Sequence, residues 1–449
     1  MRRYNLTNST LFANQIHYSK NQNDIKGDIL YMFPGQGTAI NKIFHHLFKN
    51  DEIFKENLQK ADLFCKKSMI QTISTYLQGT ILHKKDIPLL RNISLLIAEV
   101  SLFQKSKAIL PPTLLLGHSF GEYSVLVCSG LLKLEEGLEI VYLREMSCPE
   151  SSPGGMIVVN LKGKNINEVL ELPEVYLANT NSTEQIALSY SHSIFENLKS
   201  LLLKKRLPFL NLAHIKYPYH SPLMQDATLK LEKHYTVNPI SLENRKITIP
   251  FYSNVTNKKY ESTEEISTDI YTILTKQLTL QVNFYKLISN IDMYSFYNCG
   301  PGNSLDTFVQ SIYPIKTDRT IHFHKLEFRV KKEQHHNVLN SKWVSIINNV
   351  IADVTGYKLA DFQITSHLQD DLGIDSIKKA EILYKVLSHD SDIDFEDISI
   401  STFTTIEEFV EYLQEASLTK SPKQSKFKST FELFSIKKEK IHELNMHKI

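Results

Sequence analysis

A serine set between two glycines, Gly117-His118-Ser119-Phe120-Gly121, is the first place in this chain where residue type and spacing suggest covalent chemistry. The glycines let the backbone turn sharply, so that the hydroxyl stands exposed where a strand hands over to a helix. The start of that helix offers amide N–H groups to a developing oxyanion. The bare pattern also occurs in ordinary turns, and its weight comes from placement. Thr113-Leu114-Leu115-Leu116 reads as an apolar strand before it, and Glu122 to Leu132 as a helix after it. A hydroxyl is a poor nucleophile without a base, so the chain should supply a histidine elsewhere. It holds 17, and composition alone does not choose among His214, His220 and the others.

A second serine, Ser376, follows Asp370-Asp371-Leu372-Gly373-Ile374-Asp375 and opens a helical pattern to Leu387. Asp375-Ser376 alone is an ordinary helix cap. Its surroundings are unusual: from Asn340 to Leu418 there are 15 Asp and Glu against 5 Lys and Arg, about −10 formally, inside a chain of net charge +2.

The chain as a whole must fold around more than one core, because 449 residues exceed what a single core usually supports. With 42% hydrophobic and 22% charged residues the composition is that of a globular protein. A near-neutral total gives no footprint for nucleic acid. Cys65, Cys128, Cys148 and Cys299 form no CxxC pair, so neither a metal knuckle nor a redox dithiol is expected, and free thiols are. The opening MRRYNLTNSTLF meets polar residues before any apolar stretch, and no run reaches the roughly 18–20 apolar residues of a membrane span, so a soluble, cytoplasmic protein is expected.

The elements that must hold the two serines can be read in order. Residues 1–26 are polar without a period and read as a lead-in. Ile29 to Phe33 is a short apolar strand stopping at Pro34-Gly35-Gln36-Gly37, so strand and glycine turn occur twice, here and at Ser119. Between about 155 and 212 apolar segments alternate as βαββαβ, a ferredoxin-like insert beside a larger α/β core. The first domain is expected over 27–320 and a charged, His-rich linker over 321–339. Helical patterns at Trp343–Val354, Ser376–Leu387 and Ile406–Leu413 give a small helical bundle over 340–418. The Lys-rich tail 419–449, with Phe427, Phe431 and Phe434, reads as a frayed end, with a docking helix as the alternative.

Four segments in this order, Phe33-Pro-Gly-Gln-Gly37, Gly117-His-Ser-Phe-Gly-Glu-Tyr-Ser124, Tyr219-His-Ser-Pro-Leu-Met224 and Gly300-Pro-Gly302, resemble the malonyl-CoA:acyl carrier protein transacylases and the acyltransferase domains of polyketide synthases. The resemblance covers residues 27 to about 315 and implies an α/β-hydrolase-like core. It implies that Ser119 is acylated and His220 takes its proton as a dyad. It places the oxyanion hole at the backbone N–H groups of Gln36 and Phe120, and assigns His118 to substrate binding. It gives Asn283, in Gln281-Val-Asn-Phe284, a backbone carbonyl that orients the histidine. Arg144, in Val141-Tyr-Leu-Arg-Glu145, falls where the family holds the free carboxylate of malonyl or methylmalonyl groups. A guanidinium fork suits a carboxylate, and one left facing a neutral acyl chain would be a costly unpaired charge. Without that alignment the arginine would read as a solvent-facing partner of Glu145 or Glu139. The sequence departs from the family at Ala39, where many members carry a second glutamine. Tyr217-Pro218-Tyr219-His220 matches neither common selectivity tetrapeptide; bulky Tyr219 favours malonyl over an α-methyl donor.

Asp370 to Leu383 resembles the attachment site of acyl carrier proteins, over roughly residues 340–415. It implies that Ser376 carries 4′-phosphopantetheine, placed there by a separate phosphopantetheinyl transferase. Basic partner enzymes would be steered to the acidic surface. Together the two resemblances imply an S-malonyltransferase of polyketide or fatty acid biosynthesis. It would take malonyl from CoA to a carrier domain in cis or in trans by a ping-pong route, with no metal. No ketosynthase signature occurs, so condensation is expected on another polypeptide. Two alternatives are an acyl hydrolase that clears carriers and a non-catalytic carrier scaffold.

Overall fold

Parallel strands covered by helices on both faces must be apolar throughout rather than alternating, and Ile29–Phe33 and Leu114–Gly117 are buried at every position. The computed structural model describes residues 7–12, 28–36, 40, 42–212, 215–293, 295–316, 321–329, 341–355, 359, 363, 364, 366, 368, 372, 374, 376–388, 403 and 405–418. His214 and the tail 419–449 lie outside them. In chain order the strands are β1 (Thr7–Phe12), β2 (Ile29–Phe33), β3 (Leu114–Gly117), β4 (Gly154–Asn160), β5 (Val175–Thr180), β6 (Gln185–Ser191), β7 (Phe209–Asn211), β8 (Phe251–Tyr252), β9 (Lys259–Tyr260), β10 (Val282–Asn283), β11 (Ser295–Asn298) and β12 (His322–Arg329).

The larger sheet has the order β1-β12-β11-β2-β3-β8-β9. It is parallel except at the β8–β9 edge. Period-two alternation sends Ile29, Tyr31 and Phe33 into one core and Leu30 and Met32 into another on the opposite face. The first core is built on the helix Ile87–Ser106, apolar on most of its circumference and therefore buried along most of its length.

Two expectations are corrected here. Thr7–Phe12, within the expected lead-in, is an edge strand, with Thr7 opposite His324 and Phe12 opposite Arg329. Its partner β12 lies in the segment expected to be a linker. The run His-Phe-His-Lys-Leu-Glu-Phe-Arg is dominated by charged and histidine residues, so composition concealed a strand that pairing with β11 and β1 supports.

The smaller sheet has the order β10-β5-β6-β4-β7, and β4 to β7 are joined antiparallel with the helices Asn167–Leu170 and Phe195–Lys204 in the βαββαβ connectivity expected. One face holds its own core of Ile157, Val159, Leu188 and Leu198. The other face sends Met156, Ala178 and Ala187 into the main core, and β10 adds beside β5.

Residues 336–449 form a second unit. Its described helices, Ser341–Thr355, Ser376–Leu387 and Ile406–Leu418, share a core that includes Trp343, Ile347, Leu383, Phe409 and Leu413. Among the described residues no helix is long and apolar enough to cross a membrane, and no His, Cys, Asp and Glu group could hold a metal ion. All four cysteines are free and buried.

The serine elbow is pressed against β2. A Cβ on Gly121 would stand 2.1 Å from the Phe33 carbonyl oxygen. Gly121→Ala should therefore cost about 1–3 kcal/mol by overpacking, seen as a lower urea midpoint of the first unit; an unchanged midpoint would show that elbow and strand can part freely.

Candidate active site

The turn from β3 into the helix Gly121–Cys128 holds Ser119 at φ 54°, a left-handed conformation that strains a residue with a side chain. Backbone bonds from His118 N to Phe33 O (2.8 Å) and from Gly121 N to His118 O (3.0 Å) fix the turn. The fully buried Glu122 adds a tie, accepting from the backbone N of Asn254 at 3.0 Å and from the Asn254 amide, which also donates to Gly117 O at 2.8 Å. Burial pushes the Glu122 carboxyl up to about 7.

His220 lies 101 residues further on, yet its Nε2 is 2.7 Å from Ser119 Oγ. It too adopts a left-handed backbone, at φ 59°, secured by its own N–H on Leu278 O at 2.7 Å. On the far side of the ring, Nδ1 is 2.9 Å from Leu280 O. A carbonyl can only accept, so Nδ1 carries the hydrogen and Nε2 turns a lone pair to the serine. Burial pulls the imidazole down to about 3, with the Leu280 carbonyl opposing that shift.

The expected orienting residue is corrected by this geometry: the carbonyl belongs to Leu280, not Asn283. The Asn283 side chain instead caps the helix Phe284–Asn290, accepting from Lys286 N at 2.9 Å. A backbone carbonyl leaves no trace in residue type, so sequence fixes the neighbourhood and not the position.

His118, next to the serine in sequence, has partners of its own. Its Nε2 is 2.8 Å from Asn181 Oδ1, and its ring meets Phe284 and Phe308 at centroid distances of 5.4 and 5.9 Å. Burial lowers its pKa. The β2 turn reaches the same place: a Cβ on Gly35 would be 3.3 Å from that of Ser119, which brings the turn carrying Gln36 beside that serine. Phe120 is buried and immediately precedes the first residue of the elbow helix.

Arg144 projects from the helix Leu134–Ser147 and is buried, not solvent-facing. Its guanidinium lies over the Tyr219 ring, 4.2 Å from the centroid. Nη2 donates to Gln36 Oε1 and Nη1 to the Tyr219 hydroxyl, both at 3.3 Å, and Nε to Gln277 Oε1 at 3.5 Å. Nη1 also forms an ion pair with Glu145, itself buried. The expectation that this arginine would be unpaired without a substrate carboxylate is thus overturned, since a carboxylate is already built in. Gln277, Asn181 and the Leu280 carbonyl carry no signal in the sequence, whereas Glu145, weighed there only as a solvent-side partner of Arg144, pairs with it in the interior. Ser376 starts its helix in the second unit, and its side chain lies outside the described residues.

The acyl transferase domain family profile matches residues 30–298. Probable polyketide synthases 23 and 22 of Dictyostelium discoideum are each 25% identical over 310 residues, which is 65% of this chain and 12% of theirs. The chain therefore spans about an eighth of the length of the curated relatives it matches. Among solved structures, the malonyl CoA-acyl carrier protein transacylase of Coxiella burnetii is 25% identical with a TM-score of 0.56, covering 66% of this chain and 93% of that one. The malonyl-CoA:acyl carrier protein transacylase of Xanthomonas oryzae is likewise 25% identical, with a TM-score of 0.56 and coverage of 66% and 94%. The match spans more than half of the chain and contains both the serine elbow and the histidine facing it: this chain belongs to the acyl transferase domain family.

Proposed function

We propose that this protein is a malonyl-CoA:acyl carrier protein S-malonyltransferase serving polyketide or fatty acid assembly. The observation that carries the reading is the 2.7 Å contact between Ser119 Oγ and a histidine nitrogen whose partner nitrogen is bound to a carbonyl. In the first half-reaction His220 Nε2 takes the Ser119 proton as Oγ attacks the thioester carbonyl, then returns it to the departing CoA thiolate. In the second, Nε2 takes the proton of an acceptor thiol and hands it back to Ser119 Oγ as the ester opens. The amides of Gln36 and Phe120 are assigned to the oxyanion, where one such donor commonly contributes about 3–4 kcal/mol. Arg144 is assigned to the free carboxylate of malonyl, with Tyr219 beneath it. His118, tethered to Asn181, is assigned to the wall of the acyl pocket.

The second unit is read as an acyl carrier domain. Ser376 at the first position of a 12-residue helix fits a phosphodiester, because free amide N–H groups and the positive end of the dipole meet there. Phosphopantetheine on that serine would supply an acceptor thiol. A phosphopantetheinyl transferase, carrier domains in cis or in trans, and a ketosynthase on another chain are the partners this implies, in the cytoplasm.

Intact-protein mass spectrometry after incubation with malonyl-CoA tests the nucleophile: the wild-type apo form should gain one malonyl group and Ser119→Ala none, with Ser376→Ala still acylated. An adduct persisting in Ser119→Ala on the apo form would remove the serine from this role. The same incubation without acceptor separates transfer from hydrolysis, since a hydrolase would release free malonate continuously.

The pH dependence follows from His220. An imidazole must be neutral to accept a proton, and burial keeps this one neutral down to about 3. The acylation burst, followed by CoA release, should hold level from pH 8 to pH 5; an inflection near the ordinary histidine value of about 6.5 would mean the ring is hydrated in the working enzyme.

A further inference from the structure

We infer that Glu145 sets the acyl selectivity of this site by serving as the counter-ion of Arg144, so that the pocket is electrically neutral and a dicarboxylic acyl group enters it only in competition with Glu145. The inference rests on Ser119 being acylated from CoA thioesters, and concerns which acyl groups it accepts.

Consecutive helical residues point away from each other and do not normally pair. Here the carboxylate is drawn in by an anchor on another helix: Glu145 Oε1 accepts from Asn92 Nδ2 at 2.7 Å, from Arg144, and from the Tyr219 hydroxyl at 3.5 Å. Both charged side chains are buried, exposed by only 1% and 4%. The other guanidinium nitrogens already face Gln36 and Gln277 oxygens. Four of its five N–H groups thus face oxygens, so an incoming carboxylate finds no pair of donors for a two-pronged grip without displacing one of them.

A malonyl carboxylate would put a second negative charge beside one cation in a site shielded from water, where charges interact far more strongly than in bulk. A neutral acyl group leaves the ion pair undisturbed. Beside the pair, Gln277 Nε2 is buried without a hydrogen-bond partner among the described residues, on the amide whose Oε1 accepts from Tyr123 and Arg144. An amide N–H suits an uncharged oxygen as well as a charged one. The preference for malonyl over neutral short acyl groups is accordingly weak, and Glu145 is the residue that weakens it.

The test compares kcat/KM for malonyl-CoA and acetyl-CoA in the full chain, with Ser119 acylation followed by intact mass. Glu145→Gln preserves the Oε1 acceptor and removes the charge, and it should raise the malonyl-to-acetyl ratio about tenfold, chiefly through the KM of malonyl-CoA, a size typical of a charge interaction in a binding site. An unchanged or lower ratio would overturn the inference and leave Glu145 as a support for Arg144. Glu145→Asp keeps the charge on a shorter side chain and gives an independent reading: its ratio should lie nearer wild type than that of Glu145→Gln. A rise as large as that of Glu145→Gln would show that side-chain shape, not charge, is responsible and would overturn the inference. If wild-type protein gains neither acyl group at Ser119, acyl transfer itself is refuted, whereas acylation with an unresponsive ratio refutes only the role of Glu145.

Discussion

A neutral imidazole can carry its hydrogen on either nitrogen, and only one choice turns a lone pair of His220 Nε2 toward Ser119 Oγ. The Leu280 carbonyl makes that choice at 2.9 Å from Nδ1. The backbone around them keeps that carbonyl, the ring and the hydroxyl in line. The left-handed backbones at Ser119 and His220 aim the two side chains at each other. The hydrogen bond of His220 N to Leu278 O ties the ring's own backbone to the segment that carries Leu280. Removing an ionic member from the dyad has a physical advantage in so dry a place, since a carboxylate behind the histidine would itself need a counter-charge.

The site is nonetheless surrounded by buried carboxyl groups, and their environments divide them. Glu99 is wholly buried, and burial raises its pKa well above the usual carboxylate range although Ser124 donates to it at 2.5 Å. Glu122 is shifted the same way and serves as a hydrogen-bonding strut under the elbow. Glu145 lies against the Arg144 guanidinium, which neither of the others does in the contacts described.

Much of this arrangement was legible from the chain. Unbroken apolar runs before glycine turns located β2 and β3, because a strand covered on both sides has no polar face to conceal. Alternating short apolar segments gave the βαββαβ insert in the right order. Ser119 and His220 were found through motifs, and the structure brings them to hydrogen-bonding distance. What sequence could not show was contact made by main chain or across distance. The carbonyl of Leu280 has no signature, and Asn283, assigned that carbonyl role by the family resemblance, proves to cap a helix with its side chain. The partner of Arg144 was dismissed as a solvent-side pairing because helical geometry separates neighbours, and Asn92, 53 residues away from Glu145, is what overrides it.

The pairing of β1 with β12 bears on how the first unit can be cut out of its chain. A fragment running from 27 to 320, the natural choice from motif positions, would omit both strands and leave β11 as a bare sheet margin. Unprotected N–H and C=O groups along such a margin recruit other chains. Insolubility of that fragment would then report a misplaced boundary and say nothing against the residues proposed for the chemistry within it. Excision at 335 restores the whole sheet.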